Sequence, residues 1–203
     1  MTPATELLPL DLSLVCHRIE RGRRFQRELL MQPDPHAELT NALTDAIELF
    51  QELGVEYALV GGIAAMCYGR TRFTEHVDFI AATDHQSRLA AHPDVMRRHR
   101  FAPSCTWKLY HNSGMEVDIW KDEFADQMIR RATTTNLAGV SVRIVDVHDL
   151  IAMKLRAGRQ RDDYDVSEIC KRTAIDESRL RALVVPDVFA RFQNIKRRSD
   201  AEM

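Results

Sequence analysis

Residues 55–81 read VEYALVGGIAAMCYGRTRFTEHVDFIA, and the order of apolar runs and glycines in this stretch decides the fold. Residues 55–60 are mostly apolar, as expected for a short central strand, and residues 77–81 predict a second strand. Gly61 and Gly62 follow the first strand directly, and small apolar residues at 63–68 predict a tightly packed helix. A strand, a paired-glycine turn, a helix and a strand in this order indicate a mixed α/β (α+β) protein.

Acidic residues inside the apolar strands are the strongest sign of a functional site. Asp78 lies between Val77 and Phe79, and a carboxylate at such a position is costly unless it has a partner. Further along, residues 105–111 and 115–120 predict a hairpin closed by an Asn-Ser-Gly turn. Glu116 and Asp118 are two apart on its second strand and therefore share a face. If the two strands are neighbours, Asp78 and Asp118 meet beside the paired glycines.

The residue types around this turn predict a site for a nucleoside triphosphate and a metal ion. Carboxylate and phosphate oxygens are the ligands that Mg²⁺ prefers, with Mn²⁺ as an alternative. Gly61 and Gly62 allow phosphate oxygens to approach the backbone N–H groups closely. Arg70 and Arg72 have the guanidinium geometry for a triphosphate, although a pairing with a neighbouring acid is an equal alternative.

The rest of the chain predicts helices on both sides of this unit. An apolar stripe at 37–53 ends before Gly54, and one further helix is expected from 84 to 100. Residues 140–145 alternate as a strand, and helices are expected from Asp146 onward, followed by a charged, frayed tail at 196–203. We therefore divide the chain into an N-terminal helical extension (1–36), an α/β domain (37–145) and a helical C-terminal segment (146–203).

Bulk composition places the chain in the ordinary soluble class. It has 203 residues, 28 Lys and Arg against 30 Asp and Glu, and a net charge of −2, which gives no global attraction to nucleic acid. Five arginines between 18 and 27 leave a local RNA-binding face as a weaker alternative. No apolar run approaches the length of a membrane span, and the four scattered cysteines fit a reducing compartment, so we expect a cytoplasmic protein without a membrane partner.

The glycine turn and the motif G-x-x-R-x-T-x-H-V-D-F at 69–79 together resemble the signature of the DNA polymerase β-like nucleotidyltransferases. The likeness is greatest to small bacterial members, the minimal nucleotidyltransferases and the toxins of AbiEii-type toxin–antitoxin systems. The resemblance implies a nucleotidyltransferase-type mixed sheet flanked by helices. It also implies that Asp78 and Asp118 hold the metal, that Thr74 lies at the nucleotide, and that Lys154 on a later helix faces it. A surface position with only its stem buried is the alternative for Lys154.

His76 departs from this pattern, because the family has its first metal-binding Asp at that position. Neutral imidazole is a poor ligand for Mg²⁺. Three interpretations follow: the protein transfers nucleotides with the remaining acids, it binds nucleotide without turnover, or His76 serves as a base or binds another metal.

The resemblance implies transfer of a nucleoside monophosphate from an NTP to an acceptor hydroxyl, with release of pyrophosphate. Asp78, Asp118 and His76 are the candidate catalytic residues. The acceptor could be a protein, an RNA or a small molecule. A cognate toxin–antitoxin partner is expected if the chain is a degenerate, partner-binding member of the superfamily.

Overall fold

A mixed sheet with helices around it forms the described part of the chain, as expected for the α/β (α+β) class. The computed structural model describes residues 35–70, 74, 76–102, 107–137 and 139–202, so the expected helix within residues 12–30 lies outside it. The seven strands of this part are β1 Tyr57–Leu59, β2 Val77–Ala81, β3 Phe101–Ala102, β4 Lys108–His111, β5 Glu116–Trp120, β6 Thr133–Leu137 and β7 Val140–Ile144. Its nine helices are α1 Pro35–Glu52, α2 Gly61–Cys67, α3 His85–Ala91, α4 Pro93–Arg98, α5 Ala125–Arg131, α6 Val147–Ala157, α7 Gln160–Cys170, α8 Glu177–Leu183 and α9 Pro186–Ala201.

The strand order brings the two acidic strands together at the centre of the sheet. The order is β3-β4-β5-β2-β1-β7-β6. Strand β2 pairs antiparallel with β1 and parallel with β5, and in the second pairing Asp78 is the register partner of Asp118. Register partners on neighbouring strands project to the same face. The expectation that the two strands are neighbours is confirmed.

Aromatic packing on the opposite face of β2 holds helix α1 against the sheet. Phe79 contacts Phe50 of α1 and Tyr57 of β1, with ring centroids 5.2 and 5.4 Å away, both edge to face. These rings are buried, and Phe50 continues the apolar stripe predicted for α1. Because successive strand residues alternate in direction, burial of Phe79 on this face turns Asp78 to the other face.

The C-terminal helices pack on the same side as the glycine turn. Asp146 caps α6 by accepting a hydrogen bond from the His148 N–H, as the sequence predicts. The Tyr68 hydroxyl donates to the Val145 carbonyl at 2.7 Å, and the Thr173 hydroxyl donates to the Tyr68 carbonyl at 2.9 Å. These bonds join helix α2 to the C-terminal helices. The boundary between residues 145 and 146 therefore stays an interpretation.

Two local predictions are wrong, each for a physical reason. The helix expected over 84–100 is two helices, because Pro93 lacks the N–H needed to continue the first. The tail is not frayed, since α9 extends to Ala201 and buries Phe192 against its neighbours. The sequence does not reveal strand β6, which carries no apolar alternation because four of its five residues are at least partly exposed at the sheet edge. Every helix in the described ranges is too short or too polar to cross a membrane.

Candidate active site

One open cavity of about 810 Å³ collects the predicted site residues. It lies between the acidic face of β2 and β5 and the bend from α6 to α7. The predicted residues that line it are Gly61, Gly62, Arg70, Thr74, His76, Asp78, Asp118 and Lys154. Arg72 lies outside the described residues. Residues separated by up to 93 positions thus converge as the sequence predicts, from Gly61 to Lys154.

Asp78 is buried and held by two donors. The Trp120 indole N–H donates to one carboxylate oxygen at 2.9 Å, and the Gly62 backbone N–H donates to the other at 3.2 Å. Only 8% of the residue is exposed. Two hydrogen bonds on opposite oxygens fix the plane of the carboxylate, so Asp78 is oriented before any ligand arrives.

Asp118 is less enclosed and lies in a field of mixed charge. Its carboxylate is 3.8 Å from the Lys108 ammonium, which also makes a close ion pair with Glu116. Burial raises the pKa of Asp118 above its ordinary value, Lys108 and His76 oppose that rise, and the negative charges of Asp78 and Glu116 add to it. A carboxyl that is reluctant to ionise beside a second acid gains most from a bound cation.

The two glycines are required by close contacts with side chains. Gly61 has a positive φ of 63°, and a Cβ atom there would lie 2.1 Å from an Asp78 oxygen. A Cβ atom on Gly62 would lie 2.5 Å from Thr74 and 2.8 Å from an Arg70 nitrogen. The space that the sequence assigns to phosphate oxygens is thus shared with the Asp78, Thr74 and Arg70 side chains. The role of the glycines in binding phosphate stays a prediction.

Arg70 and Lys154 line the cavity as buried members of one ion-pair network. Arg70 and Lys154 contact the two oxygens of Asp165 at 2.9 and 2.6 Å, and Arg70 also donates to the Gly62 carbonyl at 3.2 Å. The Asp165 side chain is 1% exposed. Lys154 is therefore not a surface lysine with a buried stem, and among the described residues Arg70 forms its ion pair with Asp165. Glu75, a neighbouring acid in the sequence, lies outside the described residues. The assignment of Arg70 and Lys154 to the nucleotide remains a prediction.

Sequence reasoning missed several residues on the cavity wall. Trp120 could have been found, because it is two residues from Asp118 on the same strand face. The mixed charges of the sequence around Arg159 and Asp162 predict structural ion pairs, and these two residues do pair, at 2.6 Å. Further charged residues of the lining are Lys121, Asp122, Arg156 and Arg161. Apart from the two strand acids, the lining carries more basic than acidic residues, and we call this part the basic wall. Such a surround suits a ligand that carries both phosphates and a cation.

The donor set fits a metal ion that binds together with a phosphorylated ligand. The described ranges contain no group of three or more His, Cys, Asp or Glu side chains arranged for a metal ion. Mg²⁺ is commonly held by one or two carboxylates, with phosphate oxygens and water completing its shell. Asp78 and Asp118 supply two carboxylates at one register, which is the protein share of such a site.

Comparison with solved structures supports the fold. An antigenic nucleotidyltransferase-like protein from Paracoccidioides brasiliensis is 17% identical, with a TM-score of 0.56, over 80% of this chain and 89% of its own. The antibiotic-resistance factor ANT(2'')-Ia is 11% identical, with a TM-score of 0.50, over 82% of this chain and 93% of its own. The lincosamide antibiotic adenylyltransferase LnuA is 15% identical, with a TM-score of 0.46, over 65% and 96%. The first two likenesses show the fold alone, because their identities are low.

A family model gives a more direct assignment. No curated protein matches the chain. Residues 37–203 match the family described as nucleotidyltransferase of unknown function (DUF6036), which covers the sheet, the cavity and the C-terminal helices. The glycine turn, the two register-paired acids and the match over most of the chain agree, and the chain belongs to this nucleotidyltransferase family.

Proposed function

We propose that this protein transfers a nucleoside monophosphate from an NTP to an acceptor hydroxyl. An acceptor oxygen attacks the α-phosphorus, the bond between the α-phosphorus and the bridging oxygen breaks, and pyrophosphate leaves with the electron pair. The observation that carries the proposal is the pairing of Asp78 with Asp118 on adjacent parallel strands beside the Gly61-Gly62 turn.

Asp78 and Asp118 are the residues that would hold Mg²⁺, or Mn²⁺ in its place. When bound, the ion would polarise the phosphoryl group and stabilise the charge on the attacking and leaving oxygens. Asp78 is oriented by Trp120 and Gly62 for this purpose. Asp118, the more exposed of the two carboxylates, is the group that we propose accepts the proton of the acceptor hydroxyl.

The acceptor follows from none of these contacts, and protein, RNA and small-molecule hydroxyls all remain candidates. Assignment to the minimal nucleotidyltransferases or AbiEii-type toxins, with a toxin–antitoxin partner, likewise stays a prediction. His76 is exposed and Asp118 is partly exposed, and both line the cavity, so we propose that an acceptor approaches beside them.

Label transfer tests the proposal. The protein is incubated with each NTP labelled at its α-phosphate, with Mg²⁺ or Mn²⁺, and with protein, RNA and small-molecule acceptor panels. We expect metal-dependent transfer that Asp78→Asn and Asp118→Asn each remove. Asp126→Asn is the matched control, because Asp126 is exposed and lies outside the cavity lining. Transfer that survives both site variants would contradict the proposal.

His76 favours a second candidate, a nucleotide-binding module without turnover. It is exposed at the start of β2, where the family resemblance expects a carboxylate, and both oxygens of Asp78 already accept hydrogen bonds. Calorimetry with each NTP and Mg²⁺ separates the two functions. Binding without transfer, together with transfer by His76→Asp, would establish the module as a degenerate enzyme.

A further inference from the structure

The basic wall of the cavity contains two kinds of cation that differ in what they already contact. Arg70 and Lys154 are buried, with side chains 3% and 9% exposed, and both are bound to Asp165. A phosphate that recruited either one would have to loosen a buried ion pair, which leaves a charge uncompensated in the interior. These two cations therefore hold the C-terminal helices to the glycine turn, and a triphosphate needs another partner.

Arg159 is placed differently. Its side chain is 47% exposed and lines the cavity at the bend between α6 and α7. The bend arises because Gly158 adopts a positive φ of 70° and ends α6, after which Arg159 has an extended backbone. Glycine adopts that conformation without steric cost. The side chain of Arg159 is thus available to a ligand, whereas those of Arg70 and Lys154 are enclosed.

Asp162 fixes the guanidinium of Arg159 but uses only one of its edges. Nε and Nη2 of Arg159 donate to the two Asp162 oxygens at 2.6 and 3.3 Å, while Nη1 makes no hydrogen bond within the described part of the chain. The Asp162 side chain is 3% exposed and also lies 3.6 Å from Lys154. A guanidinium has five N–H donors in a rigid fork, so a second edge can bind phosphate oxygens while the first stays on the carboxylate.

Arg159 also lies within electrostatic reach of the acidic face. Its hydrogen bond to Asp162, followed by the negative charges of Asp162, Asp78 and Asp165, raises the pKa of the guanidinium. A ligand between Arg159 and Asp78 would meet a fixed cation on one side and a carboxylate on the other. A triphosphate with a divalent cation matches that arrangement, because its phosphates face the arginine and its cation faces the acid.

We propose, on the basis of the function proposed above, that Arg159 binds the triphosphate tail of the NTP and that Asp162 positions it. This assigns the triphosphate contact to the bend between α6 and α7, in place of Arg70 and Lys154, the candidates that the sequence offers. Arg156 and Arg161 line the same wall. Arg156 pairs with Asp122 at 2.8 Å, whereas Arg159 pairs with Asp162, a carboxylate that is buried beside Lys154 in the ion-pair network.

Calorimetry with non-transferable ligands tests this assignment. The probes are the four α,β-methylene nucleoside triphosphates, inorganic tripolyphosphate and the nucleoside monophosphates, each with Mg²⁺. We expect Arg159→Gln to weaken binding of the triphosphate analogues and tripolyphosphate by about tenfold or more, because charged hydrogen bonds are lost, and to leave monophosphate binding unchanged. Asp162→Asn should give a smaller loss, and Arg159→Lys should keep part of the affinity.

Arg88→Gln is the matched control. Arg88 pairs with Asp84 at 2.5 Å, its side chain is 46% exposed, and it does not line the cavity. Equal triphosphate affinities of Arg159→Gln and Arg88→Gln would overturn the assignment and leave the proposed function intact. A wild-type protein that binds none of the triphosphates would instead overturn the proposed function as well. Circular dichroism of each variant separates loss of binding from loss of folding, and Arg159→Lys provides the test if Arg159→Gln does not fold.

Discussion

At the scale of single residues, the site depends on close contacts that leave no room for change. Asp78 lies so close to the glycine turn that its carboxylate can hold its position only because Gly61 has no Cβ atom. Asp118, by contrast, is held by charge more than by contact. The two acids should therefore respond differently to substitution.

Gly61→Ala, compared with a second glycine, should separate the cost of the left-handed backbone from the cost of the clash with Asp78. The left-handed backbone alone costs about 1–2 kcal/mol for a residue with a Cβ. At Gly61 the new atom would also displace Asp78, so we expect metal-dependent NTP binding to be lost. Gly114→Ala is the control, because Gly114 has a φ of 85° with nothing within 4 Å of its Cβ position. Equal NTP affinities in both variants, measured by calorimetry, would contradict the contact with Asp78.

Asp118→Asn should raise the thermal stability of the protein and weaken its binding of NTP with Mg²⁺. Because burial raises the pKa of Asp118 in the folded state, its ionisation opposes folding. The stability associated with this group is present at low pH and is lost as the pH rises through the raised pKa. We expect Asp118→Asn to have a higher Tm than the wild type at pH 7, a smaller difference at pH 4, and weaker Mg²⁺-dependent NTP binding. A lower Tm at pH 7 would be the opposite of this prediction.

At the scale of elements, helix α6 links the sheet to the cavity wall. Its N-cap Asp146 accepts from the backbone N–H and the ring of His148, at 2.9 and 2.8 Å, and the same ring accepts from the Asp176 N–H at 3.0 Å. One capping residue therefore orders the start of α6 and the approach to α8. Lys154 and the Arg159 bend lie at the other end of this helix.

Asp146→Ala should cost more than an ordinary cap. Burial favours the neutral acid, but the hydrogen bonds from His148 and the charge of Arg179 outweigh it and lower the pKa of Asp146 to about 2. Its contribution is therefore present at neutral pH and is lost as the pH falls from about 4 to about 2. Urea unfolding at pH 6 should show a loss of about 1–2 kcal/mol, as at the strongest caps.

The control for this helix is Asp176→Ala, which removes the N-cap of α8, where the carboxylate accepts from Ser178 and Arg179. We expect a loss of only about 0.5–1 kcal/mol, because this cap is exposed and holds no buried ring. Equal losses in the two variants would show that the ring of His148 adds nothing to the cap. In Asp146→Asn, the loss of unfolding free energy that this carboxyl causes between about pH 4 and about pH 2 should disappear.

At the scale of the whole molecule, a buried charge network joins the parts that come from distant sequence. Arg70 follows helix α2, Lys154 lies on α6 and Asp165 lies on α7. The carboxylate of Asp165 is nearly without solvent contact. The network therefore sets the distance between the acidic face and the basic wall of the cavity.

Asp165→Asn should destabilise the whole fold. Removing one partner of a buried ion pair leaves the remaining charges uncompensated, at a cost of about 3–5 kcal/mol. Asp163→Asn is the control, because Asp163 lies on the same helix and pairs with Arg191 at a partly exposed position, where such a pair contributes about 0–1 kcal/mol. Chemical denaturation measures the free energy of unfolding of both variants. A loss below 1 kcal/mol for Asp165→Asn would contradict a structural role for the network.

The sequence by itself determined the local units of this protein. Apolar runs predicted strands β2 and β5, and an apolar stripe predicted helix α1, because these patterns follow from backbone periodicity within a short window. The acid before an apolar segment predicted the N-cap of α6. An acid inside an apolar strand also predicted Asp78 and Asp118 as candidate site residues. The short edge strand β3 and the polar edge strand β6 lacked such a pattern, so the sequence did not reveal them.

Only the tertiary structure decided which residues meet. Parallel pairing of β2 with β5 depends on a long connection, and no local pattern fixes the register that sets Asp78 beside Asp118. Likewise Asp165 reaches Arg70 across 95 positions and pairs with it in the interior of the protein. Burial and long-range charge pairing are properties of the assembled chain, and for that reason the roles of Arg70, Lys154 and Arg159 could not be distinguished from their sequence alone.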